Sequence, residues 1–149
     1  MRSKEYFEGI RSEVRKIEQT REMLEAMKCK EGAKAQGYQP STGGSASGDP
    51  MDEIARRIDF EGRLQSRIEE SAKEVDEACV LLYGADNRGG LAKLKGARYA
   101  DAVCMLYLQD MPAAEVAEVM RCSAKWCREL CAAAFRYIDR VGMAYVKEA

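Results

Sequence analysis

The segment at 107–138, YLQDMPAAEVAEVMRCSAKWCRELCAAAFRYI, holds most of the side chains in this sequence that could do chemistry. It contains Cys122, Cys127 and Cys131, the chain's only tryptophan, Trp126, and the cations Arg121, Lys125, Arg128 and Arg136. Three close thiols could hold zinc or run a redox cycle. Tetrahedral zinc, however, takes four ligands in closely spaced pairs, and Cys29, Cys79 and Cys104 are scattered along the chain. The 149 residues include no histidine, which removes the commonest metal ligand and general base. Ser-His and Cys-His nucleophilic arrangements go with it. The cysteines are therefore expected to pack as small apolar groups, with no metal, no other cofactor and no enzymatic activity.

The cations suggest a different chemistry. Between Arg121 and Lys147 six basic residues face two acidic ones, a local charge of +4 in a chain of net charge −1. Residues 1–87 carry −4 and residues 88–149 carry +3. A basic end of this kind can sit on nucleic acid, and a solvated helix face is the plainer explanation of the same charges.

The segment itself punctuates as two helices. Pro112 suits a helix start, and PAAEVAEVM places Val116, Ala117 and Met120 on one face, with Ala113 close to it. RCS makes a short turn with Ser123 as the cap of a second helix, expected to run on through GMAY. The inward positions of that helix are Cys127, Leu130, Cys131, Ala134 and Ile138. The opposite face carries Lys125, Trp126, Arg128, Glu129, Ala132 and Arg136. Long donors around a small residue are what a major-groove reader presents, and the order of elements is that of a helix-turn-helix. Trp126 reads equally as a hinge residue in the core or as an exposed stacking contact.

The elements that must position this pair lie upstream. Residues 4–28 read as a helix whose inward stripe is Phe7, Ile10, Val14, Ile17, Arg21 and Leu24. Residues 29–50, rich in Gly and Ser, are expected to be a flexible linker. Asp49-Pro50 then signals a helix start, and residues 51–87 form a long heptad helix. Its seam reads Met51, Ile54, Ile58, Glu61, Gln65, Ile68, Ala72, Val75, Cys79 and Leu82. If the two helices fold back on each other, position 24 comes near 54, and Arg21 meets Glu61 in the seam or both reach solvent. YGADNRGG breaks the chain, and a third helix is expected from Leu91 to Gln109. Residues 88–149 thus form the helix-turn-helix domain.

The stretch YLQDMPAAEVAEVMRCSAKWCRELCAAAFRYID resembles the helix-turn-helix of sigma factor region four, and more closely that of the ArpU/RinA-type phage transcriptional regulators. Glu115, Val116 and Ala117 fall where those families have their first-helix motif, and Met120 takes a leucine position. Ser123 falls on the cap, and Cys127, Leu130, Ala134 and Phe135 on the apolar positions of the recognition helix. KEYF at 4–7 and MDEIARRIDFEGRL at 51–64 are similar to the upstream helices of such proteins. The resemblance implies an all-α fold: a long N-terminal antiparallel helical hairpin plus a C-terminal helix-turn-helix domain like sigma region four.

It further implies a cytoplasmic phage or prophage regulator that binds double-stranded DNA in a sequence-specific way. Lys125, Trp126, Arg128 and Glu129 would face the major groove. Ser123 would touch phosphate as well as cap, and Arg121, Arg136 and Arg140 would contact the backbone. The hairpin would mediate self-association or contact host RNA polymerase. Two alternatives stay open, a DNA-packaging protein like a small terminase subunit and a helical adaptor that binds no DNA. With no apolar run of about 18 residues, no membrane partner is expected.

Overall fold

In the computed structural model the residues described are 2–36 and 50–149, and they form helices without any strand. The order is α1 Ser3–Gln36, α2 Pro50–Tyr83, α3 Gly90–Leu94, α4 Ala97–Val103, a π-helical turn Cys104–Leu108, α5 Ala113–Met120, α6 Ala124–Val141 and α7 Met143–Glu148. The fold is all-α, and the two long helices pack together as an N-terminal hairpin. No described helix is long and apolar enough to cross a membrane.

The chain divides into two compact units. The first contains residues 1–15 and 71–149, and its core is built on the α6 stripe. Cys127, Leu130, Cys131, Ala134 and Ile138 are all buried, as their 3-4 spacing requires, and Phe135 joins them. α4 and α5 pack on α6, and α7 lies against α3 and α6. The start of α1 completes this core through Phe7 and Ile10. Phe7 stacks on Phe135 with ring centroids 5.5 Å apart and meets Tyr107 edge-on at 6.3 Å. Polar anchors hold α1 there too. The Ser3 amide donates to Asp139 at 2.8 Å, and its hydroxyl donates to the Phe135 carbonyl at 3.0 Å. On the α2 side, the Ser71 hydroxyl donates to Glu13 at 2.6 Å.

The second unit, residues 16–70, is a section of the hairpin with its own small core of Leu24, Leu64 and Ile68. Here the expected register is corrected. Leu24 packs with Leu64 and Ile68 rather than opposite position 54. Met51, Ile54 and Ile58, expected in the seam, are 68%, 49% and 65% exposed, and Gln65 is exposed as well. Arg21 also faces solvent, while Thr20 takes the buried place and donates its hydroxyl to the Lys16 carbonyl at 2.6 Å. Among the described residues no ion pair joins Arg21 to Glu61, and Glu61 Oε1 is buried without a hydrogen-bond partner.

Several boundaries also move. α1 continues to Gln36, past the expected end at 28, so the first residues assigned to the linker are helical. Residues 37–49, including Asp49 as the expected cap, lie outside the described residues. α2 begins at Pro50 but ends at Tyr83, and 84–89 is the turn. The single third helix expected from 91 to 109 is three pieces, broken at Lys95–Gly96 and widened into the π turn at Cys104. The second helix of the pair stops at Val141, because Gly142 adopts φ 92°, and the remainder forms α7.

Candidate nucleic-acid interface

α5, the turn Arg121–Ser123 and α6 form the helix-turn-helix, all within the first unit. The turn closes by two devices. Arg121 takes the left-handed conformation, φ 56°, which lets the Cys122 amide donate to the Ala117 carbonyl at 3.1 Å. Ser123 then caps α6, its Oγ accepting from the Trp126 amide at 3.0 Å. A left-handed non-glycine residue is strained by roughly 1 kcal/mol. Arg121→Gly is therefore expected to raise the urea midpoint slightly while removing one candidate phosphate contact. A lower midpoint would show that the arginine side chain itself holds the turn.

Arg121, Ser123, Lys125, Trp126, Arg128, Glu129, Arg136 and Arg140 are all exposed. On α6, Lys125, Arg128, Glu129, Arg136 and Arg140 follow one another along its outer side, with Ala132 half-buried between them. Arg121 and Ser123 sit in the turn at its start. Trp126 is 48% exposed, which resolves the choice between hinge and surface in favour of the surface. It shares a hollow with Tyr99, Glu129 and Arg136. The guanidinium of Arg140 lies 5.4 Å from the Tyr137 ring centroid, a cation–π contact. Repeated long donors around one small residue can follow a phosphate backbone and reach base edges.

Sequence reasoning missed the basic edge of α1. Arg11 and Arg15 reach across to the π turn and the loop after it. The Arg11 guanidinium donates from Nε and Nη2 to the Leu106 carbonyl at 3.1 and 2.9 Å and lies 4.1 Å above the Tyr107 ring. Arg15 forms a bidentate pair with Asp110 at 2.9 and 3.1 Å. Some 95 residues separate these partners, so no local pattern announces them.

Of the cysteines, Cys127 and Cys131 pack in the core, and Cys29 is exposed. Cys127 and Cys131 are buried, and Sγ of Cys122 lies 3.3 Å from Sγ of Cys127, a thiol–thiol hydrogen bond. Among the described residues no cluster of three potential metal ligands occurs. Burial pushes the Cys131 thiol up to about 12, and burial with the neighbouring Cys122 raises that of Cys127. Cys104, Tyr6 and Tyr107 are likewise raised, chiefly by burial. Tyr83 is raised most strongly, first by burial and then by its hydroxyl donating to Asp101 at 2.7 Å.

All these shifts have one sign: the fold keeps the neutral acid. The unfolded chain releases the same protons near the ordinary values of 9.0 for thiols and 10.0 for phenols. It therefore binds fewer protons than the fold above about pH 9, and stability falls as pH rises. Urea midpoints should stay flat from about pH 7 to 8.5 and drop progressively above about pH 9. A flat profile to pH 11 would contradict the burial of these groups.

No family model, curated protein or solved structure matches this chain. The structure and site therefore define a class: an all-α protein that carries an exposed, basic-faced helix-turn-helix.

Proposed function

We propose that this protein is a sequence-specific double-stranded DNA-binding regulator of transcription, of the phage or prophage type that its sequence resembles, with the character of sigma region four. One observation carries the reading: the eight candidate side chains of α6 and the turn before it are all exposed, while the inner side is closed by the core. In this reading Lys125, Trp126, Arg128 and Glu129 address base edges, and Arg121, Ser123, Arg136 and Arg140 hold phosphates. Its place of action is the cytoplasm. The exposed Met51, Ile54 and Ile58, at 3-4 spacing on α2, are where a second copy or host RNA polymerase would engage the hairpin.

Fluorescence anisotropy with promoter DNA from the surrounding genome tests the proposal. A complex weakened by salt is expected, and Arg128→Ala should cost about 1–3 kcal/mol, roughly ten- to hundredfold in affinity. No complex at low salt, together with no effect of Arg128→Ala, would leave a helical adaptor. Light scattering gives the second arm. A monomer or dimer agrees with a regulator, and a large closed ring would point to DNA packaging.

A further inference from the structure

A cavity of about 570 Å³ opens among the start of α1, the π turn, the loop after it and α6, entirely within the first unit. Ligand sites commonly have volumes of roughly 300–1,000 Å³. Its apolar wall comes from Leu106, Tyr107, Met111 and Phe135. Its charged groups are Lys4, Arg11, Arg15 and Arg128, against the single acid Asp110.

The charges are not equivalent. Arg15 and Asp110 neutralise one another through their bidentate pair. Arg11 is held over Tyr107 by its two bonds to the Leu106 carbonyl and shares Asp110 at a longer 3.7 Å. Lys4 and Arg128 are engaged by no hydrogen bond or ion pair among the described residues. Pro112 and Ala113 also line the cavity, at the start of α5, which no side chain caps. The positive end of that helix thus adds to the wall. Four cations that share the single acid Asp110, set beside aromatic rings, are an arrangement that folding alone does not require. Their mutual repulsion is relieved by an anion.

We infer that this cavity binds a small aromatic anion, a phosphate or carboxylate joined to a flat ring, with the ring against the apolar wall and the anionic group held by Lys4, Arg11 and Arg128. The bound anion engages Arg128, a side chain that DNA also needs, so the ligand and DNA oppose one another. That coupling, unlike the site itself, rests on the proposed function.

Isothermal titration calorimetry with 1-naphthyl phosphate tests the site on the full chain, with 1-naphthol and inorganic phosphate as its two halves. One-to-one binding is expected, about tenfold or more tighter than either half. Lys4→Glu should weaken it about tenfold, because the lysine is exposed and its change leaves the core intact. Ala113→Phe, which fills the cavity, should weaken it similarly, and a shared urea midpoint certifies both folds. Equal binding of inorganic phosphate would reduce the site to a basic patch. Equal binding of 1-naphthol would reduce it to an apolar hollow. No binding, or binding indifferent to Lys4→Glu, overturns the inference. In anisotropy, 1-naphthyl phosphate should displace DNA from the unmodified protein. Displacement failing while calorimetry succeeds overturns the coupling alone, and absence of any DNA complex overturns the DNA reading while the cavity stands.

Discussion

Phe7→Ala is expected to cost about 3–5 kcal/mol, read as a large fall in the urea midpoint. Phe7 is fully buried, and its ring touches Phe135 of α6 and Tyr107 of the π turn. Its loss leaves a hole bordered by two rigid aromatic rings that cannot close in without shifting α6. Against a total stability of roughly 5–15 kcal/mol, such a loss takes a sizeable share. The same substitution at Phe60, which is 48% exposed on α2, supplies the internal contrast and should cost under about 0.5 kcal/mol. Equal midpoints for the two variants would mean that α1 does not belong to the core of the first unit. The consequence reaches function, because Phe7 sits between Lys4 and Arg11 on the helix that walls the anion cavity.

What the sequence disclosed follows from the range of the forces involved. The inward set of α6 is legible because every third or fourth residue is small or apolar over about three turns, and a helix offers that stripe one place to go. Ser123 was legible because a hydroxyl three residues ahead of an amide is a local device. The hairpin register was not. On α2 the series Glu61, Gln65, Ile68 and the series Leu64, Ile68, Ser71 share a residue and differ by a small rotation. A straight helix drifts by about 20° per heptad against a strict seven-residue repeat. The packed stripe follows Leu64, Ile68 and Ser71, and the polar Glu61 and Gln65 fall beside it. Arg21 reads as a seam residue for the same reason, one position away from the buried Thr20. The π turn has no sequence signature, and the α1 arginines find their acceptors only after the chain has returned from the far end of the hairpin. The outer face of α6 was visible early, but the cavity beside it was not.

Gly90→Ala is expected to destabilise the first unit by several times the usual cost of adding a methyl group, because two independent penalties fall on one atom. Gly90 has φ +65°, a conformation that costs a residue with a side chain roughly 1–2 kcal/mol. The added Cβ would also lie 2.7 Å from the Leu81 carbonyl oxygen and 2.8 Å from both the Gly84 amide nitrogen and the Leu82 carbonyl carbon. All three are backbone atoms at the end of α2, held by bonds such as Gly84 N–H to the Val80 carbonyl at 2.7 Å, so none can swing aside. The turn must open, and with it Leu91, fully buried in the core that supports α6. Gly9→Ala provides the opposite sign from the same chemistry. Gly9 lies within α1, where a Cβ meets nothing within 4 Å, so alanine should stabilise by about 0.5–1 kcal/mol through a less flexible unfolded chain. Paired urea melts of the two variants decide the matter: opposite shifts are expected, and a neutral Gly90→Ala would mean that the turn between α2 and α3 yields freely and does not set how α3 seats against the rest of the core.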